Sequence, residues 1–246
     1  MKKSLSDTRS SQPSETIRQF RNKLGLTLHD LSERTGLAVS TLSKLEMGKA
    51  SLSYDKLVKI SDGLGIDITE ILGSPSSTPS VATRSAGRRL IQRAGEGVRV
   101  DTRSYSQLYP ATELLNKSFV PIFAEARARS IEEFIDEFGD LIRHPGEEFA
   151  LVLEGAVDFH SAFYAPTRLE VGDSVYFDSD MGHAYIAAAP GTCRVLSLCS
   201  SPHPDKSEGP LDIYANLPSE TSAAAPAKKS APPRIARASA ATAKKD

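Results

Sequence analysis

Histidine and acidic side chains stand beside turn residues at two places in the second half of the chain. His144 is followed by Pro-Gly and then by Glu148, with Gly155 after six intervening residues. Further along, Gly172 precedes a short apolar run that leads to His183. Imidazole and carboxylate groups can bind a metal ion or hydrogen-bond a small organic molecule. Because turn residues bound both segments, each is predicted to form a pair of hairpin strands.

Hydroxyl and ammonium groups are concentrated nearer the N-terminus, in the run Ser40-Thr41-Leu42-Ser43-Lys44. Taken singly, such hydroxyls are ordinary helix-capping or solvated groups. The apolar residues around them recur at helical spacing: Leu24, Leu28 and Leu31, then Val39, Leu42 and Leu45. Thr27 with Asp30 favours a capped helix start, and Gly36 permits the left-handed backbone of a tight turn. Two short helices joined by such a turn predict a helix-turn-helix.

Composition and periodicity divide the chain into segments. Helical periodicity continues through residues 14–73, which are predicted to form about five short helices. A Ser/Pro-rich run at residues 74–80 can bury nothing and indicates a linker. After residue 217 the chain is rich in Ala, Lys, Pro and Ser and has few large apolar residues, which indicates disorder. The predicted segments are a disordered N-tail 1–13, a helical domain 14–73, a linker 74–98, a β domain 99–217 and a disordered tail 218–246.

The β domain is predicted from short apolar runs separated by Gly, Pro and Asp. The expected strands include residues 149–153, 156–159, 174–177 and 194–198. One segment is ambiguous, because Ile131, Phe134, Ile135 and Phe138 follow the spacing of an amphipathic helix. The sequence alone leaves that segment open.

Composition excludes several classes of protein. The chain has 246 residues, 39% of them hydrophobic, which is enough for a buried core. No stretch approaches the roughly 18 consecutive apolar residues of a membrane span, and residues 1–14 lack an apolar signal segment. We therefore expect a cytoplasmic protein without membrane contact. Two cysteines, Cys193 and Cys199, cannot form a disulfide framework and are expected to be small core residues.

The formal net charge of −1 hides an uneven distribution. Residues 101–217 hold nineteen acidic and eight basic residues, whereas the N-tail, the linker and the C-tail are each basic. This pattern suggests that a polyanion binds near the ends of the chain, or that the tails only aid solubility.

The helical domain resembles the Cro/C1-type (XRE-type) helix-turn-helix family. The resemblance rests on Leu26-Thr27, Thr35-Gly36-Leu37 and the run from Ser40 to Lys49, followed by Ser53 with Leu57 and Ile60. It implies that residues 38–47 form the recognition helix in the major groove of double-stranded DNA. The residues it places near base edges are Ser40, Thr41 and Lys44. The residues it places near phosphates are Thr27, Ser43, Lys49 and Ser51. Leu28 stands where most of the family has Gln, so one usual polar contact is missing.

The β domain resembles the cupins, small double-stranded β-helices in which two motifs converge on one site. His144 matches the second His of the first motif, Glu148 its Glu and Gly155 its closing Gly, while Gly172 and His183 match the second motif. Ile142 stands where the first His of the family should be, so one of four usual ligands is missing.

The cupin resemblance leaves two interpretations of the site. In the first, His144, Glu148 and His183 bind a divalent metal, zinc or iron(II), with open positions. In the second, the same residues line an effector pocket and hydrogen-bond an organic molecule. Tyr185 belongs to the pocket in either case, because it lies two residues after His183 on the same strand face. Glu147 and Tyr176 are further candidates.

The expected fold is an all-α helix-turn-helix bundle followed by an all-β double-stranded β-helix, with disordered termini. This combination resembles bacterial transcriptional regulators that join an XRE-type domain to a cupin sensor. It implies a sequence-specific, homodimeric DNA-binding protein that responds to a small-molecule effector and associates with the nucleoid. Two alternatives remain open: a cupin metalloenzyme of the dioxygenase or isomerase type, and a constitutive DNA-binding module that the cupin only dimerises.

Overall fold

The computed structural model describes residues 13–72 and 87–200, which belong to one compact unit of the chain. The predictions for residues 1–12, for the Ser/Pro run, for residues 201–217 of the β domain and for the C-terminal tail fall outside these residues, and Pro13, predicted in the N-tail, begins the first helix. No helix in the described ranges is long and apolar enough to cross a membrane.

Within residues 13–72, five helices form the N-terminal domain, as the periodicity predicted. They are α1 (Pro13–Lys23), α2 (Leu28–Thr35), α3 (Val39–Glu46), α4 (Tyr54–Leu64) and α5 (Ile68–Ile71). The predicted capping box is present, since the Thr27 side chain accepts from the Asp30 N–H while the Asp30 carboxylate accepts from the Thr27 N–H. Gly36 ends α2 with φ 68°, a left-handed conformation that glycine adopts without strain. These two local features set the start of α2 and the turn into α3.

Within residues 87–200, nine strands form the second domain and confirm the predicted β fold. They are β1 (Val98–Asp101), β2 (Tyr105–Tyr109), β3 (Phe119–Ala126), β4 (Glu147–Glu154), β5 (Ala156–Ser161), β6 (Thr167–Glu170), β7 (Ser174–Asp178), β8 (His183–Ala187) and β9 (Cys193–Ser200). One sheet has the order β1-β2-β3-β9-β4-β7 and the other β6-β5-β8. All of the pairings are antiparallel. β1 begins one residue before the predicted domain boundary.

The ambiguous segment is a helix, α6 (Ile131–Phe138). The Ser130 side chain accepts from the Glu133 N–H at its start, and Gly139 ends it in the left-handed conformation. Phe134 is fully buried and meets the ring of Tyr105 edge-on at 5.7 Å between centroids. The sequence left this segment open, and the structure shows the helix that the amphipathic spacing allowed.

One of the two hydrophobic clusters in the described residues spans both domains, and the other lies within the β domain. Buried side chains of the helical domain, such as Leu57 and Ile60, belong to the same cluster as Tyr109, Val120 and Ile122 of the large sheet. Burial of this kind is the main stabilising contribution in folding and opposes rigid-body motion of one domain against the other. The helix-turn-helix domain therefore packs directly against the β domain and is not connected to it through the linker alone.

Polar contacts also hold the two domains in one relative position. The Glu137 carboxylate, at the end of α6, accepts hydrogen bonds from the Ser51 hydroxyl of the helical domain and from the backbone N–H groups of Arg103 and Ser104. Burial alone would raise the pKa of Glu137, but these hydrogen bonds outweigh it and hold the pKa below its ordinary value. Glu137 therefore stabilises the domain contact as a carboxylate.

Replacing this carboxylate tests the domain contact. We expect Glu137→Gln to lower the free energy of unfolding by about 1 kcal/mol at pH 7, because the amide offers one neutral acceptor in place of two charged oxygens. A depressed folded-state pKa stabilises the fold above the unfolded value of about 4.3 and loses that effect as pH falls through the folded value. The difference between Glu137→Gln and wild type in urea unfolding should therefore shrink toward pH 3.

Asp136 provides the matched control. Its ion pair with Arg103 spans 2.9 Å but is largely exposed, so Asp136→Asn should cost less than about 0.5 kcal/mol at either pH. Equal losses in the two variants would contradict a specific role for Glu137 at the domain contact.

Candidate functional site

A cavity of about 40 Å³ lies inside the β domain and is closed on one side by the helical domain. Its lining includes the polar or thiol groups of Tyr54, His144, Glu148, His183, Tyr185 and Cys199, besides Tyr105, Gln107 and Ser197. Four of these were predicted from the sequence as pocket residues, and the structure brings all four together. Tyr54 and Cys199 were not predicted.

Strand pairing places the site residues. Glu148 is the second residue of β4, and Cys199 of β9 lies directly opposite it in the antiparallel pair. His183 begins β8, where its backbone forms an isolated bridge with Ile142. The backbone N–H of His144 donates to the Ser179 carbonyl at 2.9 Å, which holds this residue beside the start of β4.

The Glu148 carboxylate is the centre of the site and is only 3% exposed. The Tyr185 hydroxyl donates to Glu148 Oε1 at 2.8 Å. Three other groups approach Oε2: His144 Nε2 at 3.1 Å, His183 Nε2 at 3.5 Å and Cys199 Sγ at 3.5 Å. Burial would raise the pKa of Glu148, but the hydrogen bonds and charges of the two histidines lower it well below its ordinary value. The site therefore holds a buried negative charge.

Tyr54 brings the helical domain into this site. It is the first residue of α4, is 3% exposed, and meets the His144 ring edge-on at 4.8 Å between centroids. Burial raises the pKa of its hydroxyl well above the ordinary value. This hydroxyl faces the Cys199 thiol, and neither it nor His144 Nδ1 has a hydrogen-bond partner of good geometry within residues 13–72 and 87–200. Two buried polar atoms of cavity-lining residues thus have unsatisfied hydrogen-bonding capacity.

The two cysteines differ in their surroundings. Both are free and buried, as expected. The Cys193 thiol donates to the Ala189 carbonyl at 3.4 Å, whereas the Cys199 thiol points to Glu148. Burial raises the pKa of Cys199 well above its ordinary value, and the nearby Glu148 charge raises it further. Nothing in the sequence around Cys199 distinguishes it from a core residue, because its role depends on the strand paired with it.

Other candidates lie away from the cavity. Glu147 is exposed, and Tyr176 is 63% exposed on the outer face of β7, so the expectation that they belong to the pocket is wrong. The alternation of side chains along a strand explains this, since Glu147 and Glu148 must face opposite sides of β4.

The predicted recognition helix is α3, whose flanking residues are Ala38 and Met47, as expected. The Arg21 guanidinium on α1 binds the Glu46 carboxylate of α3 through two contacts of 2.6 and 2.9 Å. Both side chains are largely buried, and bidentate ion pairs of this kind fix the orientation of the two groups as well as the distance between them. This pair orients the end of α3 relative to the rest of the bundle.

The predicted DNA-contacting residues fall into two groups. Ser40, Lys44 and Lys49 are exposed, while Thr41 and Ser43 are partly exposed. The remaining two hydroxyls have protein partners, since Ser51 donates to Glu137 and Thr27 donates to Asp30 at 2.7 Å. The structure therefore uses Ser51 and Thr27 for the domain contact and the helix cap.

Comparison with known proteins gives the same two-part organisation. A helix-turn-helix family model matches residues 17–71, and a cupin domain model matches residues 137–199. The chain carries an XRE-type helix-turn-helix domain and a cupin domain.

Relatives that align along most of this chain are named as transcriptional regulators. The chain is 23% identical to the HTH-type transcriptional regulator PuuR of Escherichia coli over 75% of its length and 92% of the relative. It is 25% identical to the HTH-type transcriptional regulator SutR of Escherichia coli over 77% of its length and 94% of the relative. An HTH_3 family transcriptional regulator from Vibrio cholerae aligns with a TM-score of 0.50 and 17% identity, covering 78% of this chain and 97% of that one, which supports the fold.

The cupin site of this helix-turn-helix protein offers a group of possible metal ligands. His144, Glu148 and Cys199 each place one ligand atom within 4.8 Å of the others, and all three are buried. The usual first histidine is replaced by Ile142, which lines the cavity as an apolar side chain. The donor set that remains contains imidazole, carboxylate and thiol groups, which together suit zinc or iron(II).

The hydrogen bond from Tyr185 to the buried carboxylate should contribute measurably to stability. We expect Tyr185→Phe to lower the free energy of unfolding by about 2 kcal/mol, because it leaves one oxygen of a buried charge without its donor. Urea denaturation followed by circular dichroism measures this. Tyr176→Phe makes the same change on an exposed ring and should alter stability by less than about 0.5 kcal/mol. A Tyr185→Phe variant as stable as Tyr176→Phe would show that Glu148 does not depend on this bond.

Proposed function

We propose that this protein is a transcriptional regulator that binds double-stranded DNA through α3 and responds to a small effector in its cupin cavity. The two curated relatives support the first part, since both are named transcriptional regulators and align along nearly their whole length. The second part rests on the shape and position of the cavity.

The observation that supports the proposal most directly is the position of Tyr54. This residue belongs to the helix that follows the recognition helix, and it also lines the cupin cavity against His144. An occupant that engages the Tyr54 hydroxyl or displaces His144 therefore acts on the helix-turn-helix directly. A ligand shifts a conformational equilibrium only if it binds one state better than another, and a wall built from both domains provides that difference.

The DNA contacts follow from the exposed side of α3. We assign Ser40, Thr41 and Lys44 to base edges and Ser43 and Lys49 to phosphates. The helical domain carries eight basic and eight acidic residues over positions 14–73, so nonspecific attraction to DNA is weak. We infer that the protein acts in the cytoplasm as a homodimer, which doubles the contacts and reads a palindrome with half-sites about one helical turn apart.

The enzyme alternative has less support. The named relatives are regulators, and the cavity of about 40 Å³ is far below the roughly 300 Å³ of a typical substrate pocket. For the same reason we infer that the occupant is small: a metal ion held by His144, Glu148 and His183, or an organic molecule of a few atoms.

A single lysine tests the DNA-binding assignment. DNA recovered with the full-length protein from its host and sequenced should share one palindrome, which then serves as the probe in a fluorescence anisotropy titration. We expect Lys44→Ala to weaken binding to this probe about tenfold, because one base contact is worth about 1–3 kcal/mol.

Lys59 on α4 gives the matched control. It is an exposed lysine that lies near Asp55, and Lys59→Ala should retain the wild-type affinity within about twofold. Recovered DNA without a shared sequence, or equal affinities for Lys44→Ala and wild type, would contradict the proposal.

A further inference from the structure

Cys199 occupies a position in the cavity that its burial alone does not explain. It lies opposite Glu148 in the β4–β9 pair, with its sulfur 3.5 Å from Glu148 Oε2. The second cysteine, Cys193, is at the other end of the same strand and contacts a backbone carbonyl. One chain thus contains a thiol inside the site and a second buried thiol outside it.

The donor atoms around Glu148 have the spacing of a metal coordination shell. His144 Nε2, His183 Nε2 and Cys199 Sγ lie 3.1, 3.5 and 3.5 Å from Glu148 Oε2. Four ligands around zinc, with bonds of about 2.0–2.3 Å in a tetrahedron, are separated from one another by about 3.3–3.8 Å. The distances to Glu148 Oε2 are near this range, and the ligand atoms of His144, Glu148 and Cys199 all lie within 4.8 Å of one another. His183 is outside this group of three, so its ring would have to shift to join a common coordination shell.

The orientation of His183 also favours a cation at this place. Its Nδ1 lies 3.0 Å from the Met181 carbonyl oxygen, which can only accept, so Nδ1 carries a proton. In neutral imidazole the lone pair is then on Nε2, which faces the Glu148 oxygen, an acceptor as well. A metal ion placed between these two atoms would accept a lone pair from each. Tyr185 holds the other carboxylate oxygen, and contacts of this kind orient metal ligands.

Charge favours a thiolate in this set. A dication bound by one carboxylate and two neutral imidazoles leaves a net positive charge in a buried cavity, which is costly. Adding the Cys199 thiolate makes the site neutral, with the thiol proton released to solvent on binding. Sulfur and imidazole ligands also select zinc or iron(II) over magnesium or calcium. The cavity of about 40 Å³ has room for an ion and one or two waters.

We propose that Cys199 is the fourth ligand of a zinc or iron(II) site completed by His144, Glu148 and His183. The thiolate replaces the ligand that the chain lacks at Ile142, although it comes from a different strand. The inference deepens the proposed function, because it names the class of occupant that the sensor cavity takes. Tyr54, the first residue of α4, would then lie beside the metal-bound sulfur. Metal binding at the site would therefore affect α4.

Cobalt(II) binding to the full-length protein without DNA tests the inference. Cobalt substitutes for zinc, and a thiolate ligand produces a near-ultraviolet sulfur-to-cobalt charge-transfer band. We expect one equivalent of cobalt to produce this band in wild type and in Cys193→Ser. We expect Cys199→Ser to lose the band and to bind zinc at least tenfold more weakly.

The native protein provides a second readout if Cys199→Ser does not fold. X-ray absorption at the zinc edge of the zinc-loaded wild type should show one sulfur among the nearest neighbours. A band that survives in Cys199→Ser, an absorption spectrum without sulfur, or a protein that takes up no stoichiometric metal would overturn the inference. Operator binding measured on the same preparations separates the metal-site inference from the DNA-binding proposal. If the protein binds its operator but takes up no metal, the DNA-binding proposal stands and the metal-site inference is wrong.

Discussion

The buried carboxylate of Glu148 is the constraint on which the rest of the site depends. A charge removed from water destabilises a fold unless other groups compensate it. Here the compensation comes from Tyr185 on β8, from His183 at the start of that strand, and from His144 before β4. These groups come from separate parts of the barrel, so the carboxylate ties the two sheets together at one end of the cavity.

The same constraint involves the helical domain. His144 packs against the Tyr54 ring of α4, and α4 belongs to the hydrophobic core that both domains share. A change in the charge or ligation around Glu148 therefore has a short physical route to the helix-turn-helix. Two polar atoms on this route, the Tyr54 hydroxyl and His144 Nδ1, have no good partner in the described part of the chain. Unsatisfied groups of this kind cost stability and are expected where an occupant supplies the missing contacts.

The sequence predicts local features well because they depend on neighbouring residues. The capping box at Thr27 and the left-handed Gly36 define the helix-turn-helix, and the resemblance to the cupin motifs implies that His144, Glu148 and His183 form one group. Features that depend on distant contacts were not predictable. Cys199 lies in the cavity because β9 pairs with β4. Tyr54 lies there because the helical domain packs on the β domain.

Two other features also depend on distant residues. Ser51, which is predicted to approach a phosphate, donates a hydrogen bond to Glu137 across the domain contact. The segment from Ile131 to Phe138 has helical spacing, yet only the burial of Phe134 beneath the sheet decides in favour of the helix. In each case the deciding partner lies far along the chain.

Binding of an occupant in the cupin cavity is expected to change the helix-turn-helix domain through α4. Hydrogen–deuterium exchange of the full-length protein, with and without one equivalent of zinc, tests it most directly. The account predicts slower exchange both around residues 142–148 and in the amides of α4, residues 54–64. Slower exchange confined to the β domain, with α4 unchanged, would contradict it.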